Sequence, residues 1–224
     1  MKPYHILYAK KKLEGSAVMV CPVIGFPHGN SLIEVKKFEA IRAVEEGAEE
    51  VDMVVNIGRV LSGKWDYVET EIKRINDAVV GRGSILKVIF ENDCELRLPI
   101  LRVGKCELMI IDLKSEHIIK LCEICSSLKV AYIKTSTGYS FIKQANGDYN
   151  YKGATISQLE LMRNHASPEV KIKAAGGIRT LDDLLRMRAL GISRVGATAT
   201  VAIMEEAVLR GIGKERVDVD VPPF

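Results

Sequence analysis

Tyr132-Ile133-Lys134-Thr135-Ser136-Thr137-Gly138 is the stretch on which the reading of this chain turns. A lysine closes a short apolar run that begins at Val130, and three hydroxyl residues and a glycine follow it at once. An ammonium group avoids the end of an apolar strand, because losing its water is costly unless something compensates. One compensation is chemical. A desolvated lysine beside another cation has a lowered pKa, and its neutral amine can attack a carbonyl to form a Schiff base. The structural alternative is a lysine whose stem lies along the strand while its head reaches water. For an isolated strand-end lysine that alternative is the commoner case. The other strand ends have to decide between the two.

Working outward, strands are expected at residues 17–26, 50–57, 84–91, 129–137, 169–175 and 194–197. Helices are expected at 4–14, 31–46, 65–80, 115–128, 155–165, 180–190 and 200–210. Residues 17–26 form a nearly unbroken apolar run, as a strand buried on both faces does, although Pro22 is awkward in a central strand. Ser31 and Glu34 suggest a capping box, Gly47 and Gly191 are helix stops, and Thr180 is a cap. Residues 58–64 and 140–151 read as loops, the latter polar, and the tail 217–224 as loose. Residues 92–113 are too long and too apolar for one connection. They read as an insertion at about 93–112, built as a small hairpin.

Strict alternation of strand and helix implies a parallel sheet, either open and doubly wound or closed as a (β/α)₈ barrel. No G-x-G-x-x-G follows the first strand, which argues against the dinucleotide-binding version. The expectation is therefore an α/β, TIM (β/α)₈-type barrel in a single domain, 1–224. A barrel of ~250 residues needs roughly thirty per unit. This chain without its insertion holds six or seven units, and six strands are legible.

Composition narrows the function. The chain has 32 basic and 29 acidic residues and a net charge of +3, which gives no case for a nucleic-acid or membrane partner. The start of the chain does not read as a signal peptide, and the longest apolar run, 17–26, is about half of the ~20 residues a membrane helix needs. A cytoplasmic protein is expected. Five cysteines at scattered spacing suggest no disulfide framework. Cys122 and Cys125 form a C-x-x-C pair within a helical pattern, with no second pair and no histidine couple, so buried reduced thiols are expected and no metal site.

Four strand ends carry candidate chemistry: Asp52, Lys87, Lys134 and Lys173. In a parallel sheet they converge on the face where such folds place their sites. Lys173 precedes Ala174-Ala175-Gly176-Gly177. A glycine pair lets backbone amides approach an anion, and a helix start near Thr180 adds its dipole; the pair is equally readable as a plain turn. Gly196-Ala197-Thr198, before the last helix, offers the same on the adjacent strand. A phosphate site beside two lysines suggests carbonyl chemistry on a phosphosugar. Like-charge repulsion between Lys134 and Lys173 would lower a lysine pKa, and Asp52 would relay protons or simply balance charge.

Four motifs together resemble deoxyribose-phosphate aldolase: Ile133-Lys134-Thr135-Ser136-Thr137-Gly138, Lys173-Ala174-Ala175-Gly176-Gly177-Ile178-Arg179-Thr180, Glu50-Val51-Asp52-Met53-Val54-Val55-Asn56-Ile57-Gly58, and Val23-Ile24-Gly25-Phe26-Pro27-His28-Gly29. The similarity covers residues 2–210 apart from the insertion. It implies that Lys134 is the Schiff-base lysine, that Lys173 tunes it and moves protons, and that Asp52 belongs to the relay. Thr137, Gly138, Gly176, Gly177, Gly196 and Thr198 match substrate and phosphate positions. The implied reaction is reversible cleavage of 2-deoxy-D-ribose 5-phosphate to acetaldehyde and D-glyceraldehyde 3-phosphate, with no metal or organic cofactor. A small-molecule phosphosugar is the implied partner, and a homo-oligomer is compatible. The chain departs from the family in starting where the third strand would lie, so a barrel lacking its first two strands is expected, and in its insertion. A truncated, non-catalytic remnant that binds phosphate or a partner protein is the alternative. A phosphosugar isomerase, which needs no trappable lysine, is a third reading.

Overall fold

A computed structural model describes residues 1–92, 95–102, 105–139, 142–143, 149–150, 153–213 and 218–219. Within 95–112, 142–143 and 149–150 the description is of the backbone. A 3₁₀ turn at Pro3–His5 leads into α1 (Ile6–Lys12), then β1 (Val23–Ile24), α2 (Ile33–Glu45), β2 (Glu50–Val54), α3 (Ile57–Leu61), α4 (Trp65–Val80) and β3 (Ile85–Ile89). Next come β4 (Glu95–Arg102), β5 (Lys105–Asp112), α5 (Ser115–Ser127), β6 (Tyr132–Lys134), β7 (Ile142–Lys143), β8 (Tyr149–Asn150) and α6 (Ile156–His165). The chain continues through β9 (Lys171–Ala175), α7 (Leu181–Ala189), β10 (Arg194–Gly196) and α8 (Thr200–Leu209).

Six strands pair in parallel in the order β1-β2-β3-β6-β9-β10. Spatial order follows chain order with no reversal. A doubly wound sheet requires a reversal at its switch point, so the winding is that of a barrel. Side-chain contacts show the curl. Glu50 of β2 and Arg194 of β10 meet at 2.7 Å, yet four strand spacings of ~4.8 Å would hold them roughly 19 Å apart in a flat sheet. Among the described residues no strand joins β10 to β1, so the sheet is a curled, open barrel wall, as the count of six strands leads one to expect.

The period-2 alternation of strands assigns the two faces. Val51, Met53, Leu86, Val88, Ile133, Ile172 and Ala174 belong to the main apolar core, along with Ile72 and Ile75 of α4 and Leu121 and Cys125 of α5. Each such large side chain, fully buried, contributes ~1.5–3 kcal/mol. The alternate residues Glu50, Asp52, Lys87, Tyr132, Lys134, Lys173 and Arg194 meet one another by ion pairs and ring contacts instead. The concave face is therefore charged.

Several expectations are corrected. The strand expected at 17–26 shrinks to Val23–Ile24, because Pro22 offers no N–H and only its carbonyl pairs, accepting from the Asp52 amide at 2.9 Å. This is edge-strand behaviour. Ser31 does not cap α2. Leu32 occupies the cap in extended conformation with no side-chain bond, and Glu34 turns instead to Arg74 of α4 at 2.7 Å. The expected loop 58–64 holds α3, capped by Asn56, whose Oδ1 accepts from the Arg59 amide at 3.1 Å. The Thr180 cap forms reciprocally with Asp183 at 3.1 Å in both directions. The insertion is an antiparallel hairpin, registered from Glu95↔Asp112 to Arg102↔Lys105. Part of the polar loop 140–151 forms the short β7–β8 ladder, and its remainder lies outside the described residues. So does the tail, apart from 218–219. Cys122 and Cys125 are free thiols buried in the core, as expected. No helix of the described residues is long and apolar enough to cross a membrane.

One buried pair anchors the strand ends from behind. Lys36 of α2 is fully buried and donates to Glu71 Oε1 and to the Val54 carbonyl, each at 2.8 Å. Glu71 Oε2 accepts from the Asn56 amide at 2.8 Å. Each charge is thus paired and hydrogen-bonded, the condition under which burying it is tolerable.

Candidate active site

Three strands place three charged groups at one point. Lys134 ends β6 and lies in register with Lys173 of β9. Asp52 sits mid-way along β2, across the concave face. Lys134 Nζ donates to Asp52 Oδ2 at 2.9 Å, and Lys173 Nζ donates to the same oxygen at 2.8 Å. The other oxygen, Oδ1, faces Lys87 Nζ at 3.2 Å, and Lys87 also pairs with Glu50 Oε2 at 2.6 Å. Cys21 Sγ touches both members of the Asp52–Lys87 pair, 3.1 Å from Asp52 Oδ1 and 3.2 Å from Lys87 Nζ. The Met1 amino group donates to the Cys21 carbonyl at 2.9 Å.

Burial sets the electrostatics. The Lys134 side chain is 8% exposed and that of Asp52 3%. Burial pushes the Lys134 pKa below the usual lysine range and the positive charge of Lys173 pushes the same way, while Asp52 opposes both. For Asp52 burial works against ionisation, but the ammonium groups of Lys134, Lys173 and Lys87 outweigh it and hold the carboxyl well below the usual carboxylate range. Lys87 is the opposite of Lys134. Burial lowers its pKa, yet Asp52, Cys21 and Glu50 raise it more. The cluster thus holds one lysine fixed as a cation and another biased toward the free amine.

A cleft of about 300 Å³ opens over this cluster. Lys134 and Lys173 lie on its floor. Thr137, Gly138 and Tyr139 form one side, and Gly176, Gly177, Arg179, Gly196 and Thr198 the other. Gly176 and Gly177 have φ of +95° and +75°, a conformation only glycine adopts without strain, so the required turn itself selects Gly-Gly. Gly196 has no positive φ, but a Cβ there would stand 3.3 Å from the Ala175 Cβ and 3.7 Å from Lys173 Cε. Behind the cleft, Thr135 fastens β6 to β9: its hydroxyl donates to the Ala175 carbonyl at 2.9 Å and accepts from the Ala175 amide at 3.0 Å. All the sequence-predicted site residues come together. Eight line the cleft, and Asp52 lies beneath it in contact with two of them.

The family model for DeoC/LacD family aldolases matches residues 1–203. The deoxyribose-phosphate aldolase of Rhodopirellula baltica is 44% identical over 205 residues, which span 92% of this chain and 73% of that protein.

The chain belongs to the DeoC/LacD aldolase family.

Solved structures agree. A protein described as a deoxyribose-phosphate aldolase from Coccidioides immitis superposes with a TM-score of 0.75 at 32% identity, covering 92% of this chain and 71% of that one. The deoxyribose phosphate aldolase of Aeropyrum pernix, described as tetrameric, gives 0.72 at 25% identity, over 92% and 74%.

In this DeoC/LacD aldolase, sequence reasoning missed a layer beneath the site. Glu50 and Arg194 were legible in principle, because Glu50 precedes Asp52 by two and Arg194 lies beside Lys173 in register. Period 2 therefore puts them on the same inner face. Lys87 carried no assigned role, and the geometry supplies one as the cation behind Asp52. Glu91 was missed as well. It is buried at φ +61°, and its carboxylate accepts from the Thr137 amide at 3.2 Å. Nothing in the sequence marked Cys21 as part of the cluster.

Proposed function

We propose that this chain is a class I aldolase that reversibly cleaves 2-deoxy-D-ribose 5-phosphate to acetaldehyde and D-glyceraldehyde 3-phosphate through a Schiff base on Lys134. The observation that carries the reading is the shared oxygen: Lys134 and Lys173 both donate to Asp52 Oδ2 at the floor of a cleft whose wall is a glycine turn. Deoxyribose-phosphate aldolase is also the name of the relatives above.

The geometry suits each step. Neutral Lys134 attacks the substrate aldehyde carbon, and the carbinolamine loses water to give the iminium. A base then takes the proton of the C3 hydroxyl, the C2–C3 bond breaks, and its electrons pass into the iminium to give an enamine. D-glyceraldehyde 3-phosphate leaves. The enamine is protonated at C2, and water releases acetaldehyde and regenerates the amine. Lys173 and Asp52, in contact with each other and with Lys134, are the groups assigned to proton movement. Burial and the Lys173 charge bias Lys134 toward the neutral amine. Backbone amides of Gly176, Gly177, Gly196 and Thr198 are assigned to the phosphate, and Thr137 and Gly138 to the sugar. The imine itself accepts the electron pair, so the chemistry calls for no metal or organic cofactor.

The assignment extends to one domain over 1–224, supported by a core cluster that runs from Ile6 to Ile192. It also extends to a cytoplasmic setting, a homo-oligomer and no nucleic-acid partner. The tetrameric relative supports the oligomer and the near-balanced charge supports the last. A non-catalytic remnant is disfavoured, because a remnant has no need to keep three charged groups buried around one oxygen. The test is incubation with 2-deoxy-D-ribose 5-phosphate and enzymatic detection of the released triose phosphate. Release that Lys134→Leu abolishes supports the reading. No release from folded protein overturns it.

A further inference from the structure

The ladder between β3 and β6 falls out of step immediately after Lys134. Ile89 pairs with Lys134, and the Phe90 amide donates to the Lys134 carbonyl at 2.9 Å. Carbonyls alternate sides along a parallel strand, so the next one, that of Thr135, should face β9. It faces β3 instead and accepts from the Asn92 amide at 2.9 Å. On the β9 side the Thr135 hydroxyl takes its place, accepting from the Ala175 amide. The same hydroxyl donates to the Ala175 carbonyl, which the Thr137 amide would reach in a continued ladder. One residue just beyond β3, Glu91, is left over, as in a β-bulge. Its φ of +61° is a left-handed conformation that costs strain in any residue but glycine. Glu91 is buried, and both of its carboxylate oxygens lie 3.2 Å from the Thr137 amide nitrogen.

We propose that Glu91 is a positioning residue for the cleft: its carboxylate holds the Thr137 amide and so fixes the Thr137-Gly138 turn that forms one side of the cleft. The turn is clamped at both ends. The Thr137 amide goes to Glu91, and Thr137 Oγ1 accepts from the Tyr139 amide at 3.0 Å. Between these clamps Gly138 has φ +80°. A hydroxyl that accepts one bond can still donate its own hydrogen, so Thr137 meets a ligand oxygen as a donor. A carboxylate suits the amide better than a neutral acceptor, because charge-assisted bonds are the stronger ones and a buried site strengthens them further. The left-handed bend belongs to the same device. It is what brings the Asn92 amide to Thr135 rather than to Ser136, and the ladder that would otherwise claim the Thr137 amide stops there.

What Glu91 does for turnover rests on the aldolase reading, but the clamp itself is measurable without substrate. Two variants separate the carboxylate from the bend. Glu91→Gly keeps the left-handed backbone at ease and removes the acceptor, whereas Glu91→Gln keeps an acceptor and removes the charge. Amide hydrogen exchange is followed by NMR in the parent and both variants, with the Ile133 amide as the reference for the ladder. Exchange at Thr137 is expected to quicken about tenfold in Glu91→Gly, the low end for a charged hydrogen bond. Glu91→Gln stays within about threefold of the parent, and Ile133 is unchanged in both. Unchanged Thr137 exchange in Glu91→Gly overturns the proposal, as does an equal rise at Ile133, a glutamine variant no better than glycine, or a glycine variant that does not fold. On the reaction, KM for 2-deoxy-D-ribose 5-phosphate rises about tenfold in Glu91→Gly, kcat falls less than about threefold, and glutamine recovers most of the KM. A loss confined to kcat, or an unchanged KM, overturns the role in binding. If the parent protein releases no triose phosphate, the aldolase reading fails and the exchange rates still decide whether Glu91 holds the turn.

Discussion

Replacing Asp52 by Asn removes the one acid that faces three ammonium groups while keeping size and shape. Lys134 and Lys173, with side chains 8% and 17% exposed, lose their shared acceptor. Lys87, fully buried, keeps Glu50. Removing one partner of a buried pair costs ~3–5 kcal/mol, and the retained Glu50–Lys87 pair places this site toward the lower end. In a chain of this size that corresponds to roughly 6–15 °C in Tm. The cost depends on pH, and its sign follows from the protons. Without Asp52 the folded state holds the Lys134 proton less tightly than the unfolded chain, whose lysine keeps the ordinary value. Between those two pKa values the unfolded state binds more protons, so stability rises with pH. Urea denaturation of parent and variant at pH 7 and pH 10 measures this. The variant should be clearly less stable at pH 7, and the gap should narrow at pH 10. A variant as stable as the parent at pH 7, or a gap equal at both pH values, would refute the claim that Asp52 is the counter-ion of this cluster.

Further outcomes follow from the same geometry. Lys173→Met removes the like charge beside Lys134, so the pH at which Lys134 becomes reactive toward an aldehyde should move up, read from the rate of imine formation against pH. Gly196→Ala, whose Cβ would crowd the Ala175 Cβ at 3.3 Å beside Lys173, should raise KM for the phosphorylated substrate more than it lowers kcat. Glu71→Gln leaves the fully buried Lys36 without its anion and should cost ~3–5 kcal/mol by urea denaturation, while the joint change Lys36→Met with Glu71→Leu should cost less. Cys122, pushed up to about 12 by burial, and Cys125, fully buried beside it, should resist iodoacetamide at pH 8 in the folded protein, with mass spectrometry finding label only after denaturant is added.

The winding of the sheet and most of the site were legible because both depend on local pattern. The helix expected at 65–80 matches α4, since its apolar spacing and its flanks both speak through sequence neighbours. Lys134, Lys173 and the glycine turn announce themselves by sitting at strand ends. What stayed hidden depends on the curl. Glu50 and Arg194 are separated by 144 positions and by four strand spacings, and only closure of the sheet joins them. The strand expected at 17–26 is only Val23–Ile24, because apolar composition does not reveal which strand is the edge; Pro22 is the residue that marks it. The Ser31 cap failed because cap geometry depends on where the preceding extended segment ends, one residue later than the motif implies. The Lys36–Glu71 ion pair, 35 positions apart, carries no local sequence signal. Its burial comes from two helices packing over the end of β2.

Trapping tests the central claim most directly. Folded protein is incubated with acetaldehyde, reduced with borohydride, digested and mapped by mass spectrometry. A single reduced ethyl adduct on the peptide bearing Lys134, absent in Lys134→Arg, is the predicted result. An unmodified Lys134, or an adduct that falls instead on Lys173 or on surface lysines at random, would contradict it.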